Sequence, residues 1–213
     1  MSRHTAIAIS AYLLAAAIYF TLGALGMLAK CEWFMIVPTL VAALAALAHA
    51  KKGGYLIPLA LLASTAGDYG GAIDAFIPQV ACFAVAHILF ISDFLPRWRF
   101  STGKLCGAIL FALPLLAYLV FILTHSHNAV ESIAIGAYGA IIFTMGISTI
   151  FQERNHRAWY IVAASIFIFS DAVIVYIRFI GSLPEAGRII MSTYYAAQGV
   201  FLTLHSLRRS IQD

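Results

Sequence analysis

Charged residues are scarce in this sequence. They make up 10% of its 213 residues, whereas 62% are hydrophobic, and the mean hydropathy is +0.93. These values exclude a soluble domain and indicate a polytopic membrane protein. The sequence also lacks any polar, Pro/Gly/Ser-rich or charge-run segment long enough to separate two domains. We therefore expect residues 1–213 to form a single domain.

Cysteine and metal-ligand patterns are also scarce. The three cysteines, Cys31, Cys82 and Cys106, form neither a CxxC pair nor a Cys/His ligand spacing, so we predict no disulfide framework and no zinc ribbon. His125 and His127 form an H-x-H pair in a loop, but a third convergent ligand is lacking. We therefore expect no metal site and no cofactor.

Eight apolar runs of about 20 residues match the thickness of a bilayer's hydrocarbon core. Open strands would leave backbone groups unpaired in lipid, and the runs lack the alternation of a closed barrel, so all eight are predicted to be helices. The predicted fold is therefore an all-α bundle of eight transmembrane helices. The spans lie near residues 5–28, 33–50, 55–74, 76–95, 104–124, 128–150, 157–180 and 187–207.

The formal charge of +4 does not indicate a nucleic-acid partner, because the basic residues lie in short runs at the ends of the apolar segments. Their distribution indicates instead how the chain is oriented in the membrane. Lys30 and Arg188 fall on the side opposite the N-terminus, with Arg178 at the end of the seventh span. This asymmetry predicts that both termini are cytoplasmic. The ten basic residues on the N-terminal side are Arg3, Lys51, Lys52, Arg97, Arg99, Lys104, Arg154, Arg157, Arg208 and Arg209.

Two aspartates lie inside apolar runs that are long enough to cross a bilayer. Asp68 occurs in LLASTAGDYGGA and Asp171 in AASIFIFSDAVIV. A carboxylate deep in a membrane is costly and is usually kept for ion paths, proton relays or chemistry. A structural hydrogen bond is the alternative for each of them. Asp93 and Glu32, in contrast, lie at span ends, and we expect them to be solvated.

Polar side chains recur at helical spacing along several predicted spans, so each of these spans has one polar side. We expect these sides to face protein and to form a polar pocket that opens toward the outer leaflet, around Asp68 and Asp171 from the third and seventh spans. Close helix packing is the alternative for the glycines. The stripes are Ser64, Gly67, Asp68 and Gly71; Gln79, Phe83 and His87; Glu131, Tyr138 and Met145; Tyr194, Gln198 and His205; and Tyr12 and Tyr19.

Several members of these stripes have a second interpretation. His87 is equally interpretable as an interhelical hydrogen-bonding residue, and Tyr194, Tyr195 and Gln198 as interfacial anchors or polar contacts between helices. Arg178 either contacts an anionic headgroup at the mouth of the pocket or extends its side chain to the outer interface.

Four short motifs resemble the YhhN/TMEM86 family of integral membrane proteins, which includes lysoplasmalogenases. They are Gly67-Asp68, the phrase FAVAHILFISDF containing His87, FSDAV from Phe169 to Val173, and YYAAQ from Tyr194 to Gln198. Span number, length and order agree over nearly the whole chain. Two departures stand out: Lys30 is followed by Cys31 where family members often have a Lys-Pro pair, and Phe90 replaces a frequent tyrosine.

The resemblance implies hydrolysis of the vinyl ether bond of a lysoplasmalogen to a fatty aldehyde and glycerophosphoethanolamine or glycerophosphocholine. Asp68 and Asp171 would act as the catalytic carboxyls, because protonation of a vinyl ether needs one acid and the cation that follows needs one charged group. The expected supporting or substrate-binding residues are His87, Ser170, Tyr194, Tyr195, Gln198, Glu131, Tyr138 and Arg178.

The expected partners are a lysophospholipid substrate, membrane lipids and water, with neither nucleic acid nor an obligate protein partner. The expected location is the bacterial inner membrane, or the endoplasmic reticulum if the source is eukaryotic. A small proton- or ion-coupled transporter is the alternative function, although the halves show no clear repeat and no paired Gly/Pro-broken helices. A haem protein with two axial histidines ranks last, because only His87 is deep enough.

Overall fold

The computed structural model describes residues 3–28, 32–50, 54–126 and 128–210. Within these residues the chain forms eight α-helices, two short 3₁₀ helices and no strand, which confirms the prediction of an all-α fold with eight helices. The α-helices are α1 (Arg3–Ala24), α2 (Ile36–Ala48), α3 (Leu56–Ala72), α4 (Phe76–Phe94), α5 (Thr102–His125), α6 (Ala129–Phe151), α7 (Arg157–Phe179) and α8 (Ala186–Ser210). The 3₁₀ helices are Glu32–Met35 and Leu95–Arg97.

Five segments of the described chain are long and apolar enough to cross a membrane. They coincide with α1, with α4 extended to Arg97, and with α5, α6 and α7. The helix α2 has 13 residues and α3 has 17, which is short for a span of about 20 residues. The membrane crossing of α2, α3 and α8, and the cytoplasmic position of both termini, stay predictions.

The first helix ends four residues earlier than the predicted span. Gly26 has a φ of 68°, a left-handed conformation that glycine adopts without steric cost. The amide of Met27 bonds the Leu22 carbonyl at 2.9 Å, and the amide of Gly26 bonds Gly23 at 3.1 Å. This pair of bonds is a Schellman cap, which satisfies the last carbonyls and stops the helix. A residue in the left-handed conformation ends a helix even where the sequence stays apolar.

The chain divides into two compact units. The first unit contains Met1–Leu89 and Gln198–Asp213, and the second contains Phe90–Ala197. The division falls inside α4 and inside α8, and the expectation of a single domain stays a prediction.

In the first unit, α2 packs against both α1 and α3. Ala42, Ala43 and Ala46 of α2 are fully buried, because small side chains let neighbouring helices approach closely. Glycines bring α3 against α4 in the same way: a Cβ atom on Gly67 would lie 2.7 Å from the Phe83 ring. The expectation that this side of the third span faces protein is confirmed for Ser64, Gly67 and Asp68, which are buried, whereas Gly71 is half-buried.

In the second unit, α6 packs against both α5 and α7. A Cβ atom on Gly146 would overlap the Phe111 ring, so α5 and α6 approach closely at this glycine. The segments that follow α4 and α6 are joined at one end of these helices, where the Arg99 amide bonds the Phe151 carbonyl at 2.9 Å. The ring of Trp98 stacks on that of Phe151 with centroids 4.3 Å apart.

Asp93 is not solvated, so that expectation was wrong. Its carboxylate accepts a hydrogen bond from Arg154 at 2.5 Å, and the side chains of Arg154 and Asp93 are only 5% and 11% exposed. The Arg154 guanidinium also lies over the rings of Phe94 and Tyr160, at 5.7 and 5.8 Å. The span-end position of Asp93 suggested water, but the loop after α6 brings an arginine onto it.

Candidate functional site

In the second unit, α6 and α7 bring Tyr138 and Asp171 into direct contact. The hydroxyl group of Tyr138 donates a hydrogen bond to the Oδ2 atom of Asp171. Both side chains are buried, with 5% and 4% of their surface exposed. A buried carboxyl without hydrogen-bond partners is costly, so the tyrosine both stabilises Asp171 and fixes its orientation. Both residues are site residues predicted from the sequence, and the fold places them together.

A second polar contact joins the same two helices two turns away. Glu131 lies seven residues before Tyr138 on α6, and Arg178 lies seven residues after Asp171 on α7. The Arg178 guanidinium donates to Glu131 at 2.6 Å. Seven residues span about 10.5 Å of helix, so the two contacts follow one seam between antiparallel helices. Arg178 therefore has a protein partner in Glu131, which accounts for its position without an anionic headgroup.

A small apolar cavity of about 50 Å³ lies beside Tyr138 and Asp171. A water molecule occupies about 30 Å³ of the liquid, so the cavity has room for one or two waters or methylene groups. Asp171 and Tyr138 are the polar groups at its wall, together with Tyr118 from α5. Its apolar wall includes Leu119, Ile122, Ile135, Ile142, Ile168 and Val175.

Tyr118 is a site residue that was not predicted from the sequence. Its hydroxyl donates a hydrogen bond of 2.6 Å to the carbonyl of Ala172, the residue that follows Asp171 in α7. The contact ties α5 to the backbone of α7 beside the carboxyl. The sequence offered one indication of this role, because Tyr118 is a polar residue surrounded by Leu, Ala, Val and Phe in the middle of a lipid-facing helix.

Tyr194 and Tyr195 lie in the buried part of α8 that belongs to the second unit. The ring of Tyr194 packs edge-on against Phe167 at 5.3 Å, and the rings of Tyr194 and Tyr195 are 5.7 Å apart. Tyr194 also lies near Tyr138. Ser170, next to Asp171, is fully buried. The fold therefore brings four predicted residues, Tyr138, Ser170, Asp171 and Tyr194, into one region of the second unit.

Asp68 is the buried carboxyl of the first unit, with 1% of its surface exposed. It interacts electrostatically with Tyr12 and Tyr19, which are two turns apart on α1. Tyr12 is held by α8, because a Cβ atom on Gly199 would lie 2.7 Å from its ring. The polar stripes of the first, third and eighth predicted spans therefore converge within this unit.

His87 and Gln198 are also fully buried in the first unit. The packing of Phe83 on Gly67, and of Gln79 on Gly70, sets the register of α4 against α3. These two contacts show that α3 and α4 are antiparallel. One further turn along α4 from Phe83 therefore places His87 beside Ser64, which lies about one turn from Asp68 on α3. The buried amide of Gln198 has no hydrogen-bond partner within the described residues, which leaves its donor and acceptor for water or ligand.

Each unit thus holds one buried carboxyl with tyrosine partners, and the joint action of Asp68 and Asp171 stays a prediction. Among the described residues no cluster of three His, Cys, Asp or Glu side chains can hold a metal ion. Cys82 and Cys106 are free thiols. Cys31 and His127 lie outside the described residues.

Comparison with known proteins identifies the kind of chain that carries these residues. The model of the YhhN family matches residues 28–204. The chain belongs to the YhhN family. The match includes both buried carboxyls, so the resemblance inferred from the four motifs is confirmed. As a YhhN-family chain with several long apolar helices, the protein is a multi-pass membrane protein.

Three relatives of this YhhN-family chain carry the name lysoplasmalogenase TMEM86B. The rat protein (Rattus norvegicus) is 37% identical over 187 residues, which cover 85% of this chain and 72% of the relative. The human protein (Homo sapiens) is 33% identical over 165 residues, covering 75% and 68%. The mouse protein (Mus musculus) is 31% identical over 205 residues, covering 92% and 85%. No solved structure matches the chain.

Proposed function

We propose that this YhhN-family protein is a lysoplasmalogenase-like hydrolase. It cleaves the vinyl ether bond of a lysoplasmalogen to give a fatty aldehyde and glycerophosphoethanolamine or glycerophosphocholine. The names of the relatives support the reaction class, since those proteins align with most of the chain.

One observation carries the proposal: a buried carboxyl, Asp171, is held by the Tyr138 hydroxyl at the wall of an apolar cavity. A vinyl ether is an apolar group that reacts by accepting a proton on carbon. Its hydrolysis therefore needs a carboxyl oriented toward an apolar space, close to where a hydrocarbon chain lies. The site around Asp171 has this character, and a purely structural carboxyl would not need the cavity.

The proposed reaction begins when one catalytic carboxyl transfers its proton to the outer vinyl carbon, leaving an oxocarbenium ion at the inner carbon. The second carboxyl, as a carboxylate, stabilises this cation and takes a proton from the water that attacks it. The product is a hemiacetal, and its collapse breaks the bond between carbon and the glycerol oxygen. In this collapse the second carboxyl gives its proton to the departing glycerol oxygen and the first takes the proton of the hemiacetal hydroxyl, so the aldehyde and the glycerol hydroxyl leave and both carboxyls regain their starting protonation. Asp68 and Asp171 have these two roles, as carboxyl pairs do around similar cations in glycosidases.

The other site residues support these steps. Tyr138 holds Asp171, Tyr118 holds the backbone beside it, and Tyr194 and Ser170 add polar groups in the same region. A cavity of about 50 Å³ accepts only the first carbons of the alkenyl chain. The rest of the chain extends into the bilayer. Leu113, Leu116 and Val120 of α5 are exposed apolar residues suited to lipid contact.

The proposal is tested with purified full-length protein in detergent, given alkenyl lysophosphatidylethanolamine in a buffer that contains a chelator. We expect release of fatty aldehyde, and we expect Asp68→Asn and Asp171→Asn each to abolish it while the thermal unfolding transition is retained. Asp74→Asn is the matched control, because Asp74 is an exposed aspartate just beyond α3.

Three results would contradict the proposal. If the wild-type protein releases no aldehyde, the reaction is wrong. Full turnover by a folded Asp171→Asn or Asp68→Asn variant removes that residue from the catalytic role. Proton- or cation-coupled flux in liposomes without any new product would show that the buried acids serve transport instead.

A further inference from the structure

A second and larger cavity lies in the first unit, at the end of α1 and α3. Its volume is about 330 Å³. It forms where the C-terminal ends of α1 and α3 meet the 3₁₀ helix that precedes α2. The residues lining it are Tyr19, Leu28, Glu32, Met35, Gly71 and Ala72.

The cavity lies next to the buried carboxyl of this unit. Gly71 and Ala72 follow Asp68 by three and four residues, so they continue its face of α3 about one turn, or about 5 Å, further on. Tyr19 lines the cavity and also interacts electrostatically with Asp68. A ligand bound in the cavity therefore ends one helical turn from a residue that the proposed reaction uses.

The described residues that line the cavity carry one charge, the carboxylate of Glu32, which is exposed at its wall. Tyr19 adds an aromatic ring, and Met35 and Leu28 add apolar surface. A negative charge beside an aromatic and apolar wall favours an organic cation, because the carboxylate pairs with the ammonium group and the ring face attracts it.

Gly71 lies at the wall of the cavity where α3 approaches α4. A Cβ atom on Gly71 would lie 2.8 Å from the Gln79 amide nitrogen, so a larger residue there would have to displace the end of the Gln79 side chain. The same Cβ atom would lie 3.6 Å from the Met35 methyl group, which is an ordinary contact.

We infer that this cavity binds the ammonium end of a zwitterionic lysophospholipid headgroup, with Glu32 as its counter-ion and the Tyr19 ring as its wall. The inference rests on the proposed function, in which the substrate carries an ethanolamine or choline headgroup. With the ammonium group at Glu32, the phosphate and glycerol extend toward Asp68. Glu32 is then a specificity-determining residue that acts on binding and not on the chemical step.

The test uses 1-O-alkyl lysolipids, which have no vinyl group and are not hydrolysed. Their affinity for the full-length protein is measured with choline, ethanolamine and glycerol headgroups, the last being similar in size but lacking the amine. We expect Glu32→Gln to weaken binding of both amine-bearing lipids about two- to fivefold, which is the effect of losing one ion pair at an exposed carboxylate, and to leave the glycerol lipid unchanged. Glu32→Asp restores most of the affinity.

Two further variants sharpen the result. Tyr19→Leu removes the ring and weakens the choline lipid more than the ethanolamine lipid, because the trimethylammonium group depends more on the aromatic face. Glu185→Gln is the matched control, since Glu185 is an exposed carboxylate that pairs with Arg188 on α8. We expect it to change none of the affinities.

Equal weakening of all three lipids by Glu32→Gln, or no weakening of any, would overturn the inference. Because these lipids bind without reacting, the outcome does not depend on catalysis. If the amine lipids bind through Glu32 but the alkenyl lipids release no aldehyde, the headgroup site stands and the proposed hydrolase fails. If aldehyde is released but the Glu32→Gln variant binds the amine lipids normally, the proposed hydrolase stands and the headgroup site fails.

Discussion

Tyr138 donates its hydroxyl proton to the Oδ2 atom of Asp171, and the two side chains form a polar contact inside otherwise apolar helices. The same pair of helices is joined again at Glu131 and Arg178, seven residues away on each helix. One seam between α6 and α7 thus holds both a buried carboxyl and a partly exposed ion pair. The position of Asp171 depends on the first contact, and the alignment of the helices depends on both.

Replacing Tyr138 with phenylalanine tests the first contact. The variant keeps the ring and loses the donor, so Asp171 loses its fixed orientation. We expect kcat to fall about 10- to 100-fold, because a hydrogen bond to a charged group contributes about 1.5–3 kcal/mol. The measurement is aldehyde release from alkenyl lysolipid. Tyr69→Phe is the control, since Tyr69 is 55% exposed, and a Tyr138→Phe variant with the wild-type rate would contradict the prediction.

Filling the small cavity tests whether it receives the reacting end of the chain. Ala172→Leu adds an isopropyl group to a wall residue of a cavity of about 50 Å³. We expect kcat/KM to fall about tenfold or more, because the vinyl group can no longer reach its position beside Asp171. Ala158→Leu makes the same addition at an exposed position near the start of α7 and is expected to leave kcat/KM unchanged. Unchanged kcat/KM in Ala172→Leu would remove the cavity from the site.

Two glycines in helices predict opposite effects on stability. A Cβ atom on Gly70 would lie 2.9 Å from the backbone N and Cα atoms of Gln79, and backbone atoms cannot move aside without shifting α4. We expect Gly70→Ala to lower the free energy of unfolding by about 1–3 kcal/mol. Gly136→Ala meets nothing within 4 Å and is expected to be neutral or stabilising by up to about 1 kcal/mol. Thermal or denaturant unfolding in detergent measures both, and equal stabilities would contradict this packing.

The ion pair between Asp93 and Arg154 should matter more to stability than the pair between Lys104 and Glu153, whose carboxylate is exposed. Asp93→Asn leaves a buried guanidinium without its counter-ion, at a cost of about 3–5 kcal/mol in the free energy of unfolding. Glu153 has 61% of its side chain exposed, so we expect a much smaller loss from Glu153→Gln. A smaller loss from Asp93→Asn than from Glu153→Gln would contradict the assignment.

The contribution of the pair between Lys104 and Glu153 to stability should also depend on pH. The hydrogen bond from Lys104 and its charge, followed by the charges of Arg157 and Arg99, lower the pKa of the Glu153 carboxyl. Its contribution to stability is therefore present above the ordinary pKa of about 4.3 and is lost as the pH falls through the lowered value. The difference in melting temperature between wild type and Glu153→Gln should disappear in that acid range, and a difference that grows there would contradict the direction.

The sequence was sufficient for the class of protein and for the most unusual residues. Long apolar runs dictate helices in a bilayer, because no other open structure satisfies the backbone there, and all eight helices are present. The two aspartates stand out for the same reason: a carboxyl in such a run is costly and needs a cause. Helical spacing also placed Ser64, Gly67 and Asp68 on one buried face.

Only the tertiary structure decided which side chains are partners. Spacing places residues on a face of one helix, but it does not set the register between helices, which depends on side-chain packing and close glycine contacts. For that reason the contact of Tyr118 with Ala172 was missed and Asp93 was expected in water, whereas the fold gives it Arg154. The two cavities are likewise products of packing: residues distant in sequence line each of them, and no local pattern encodes that space.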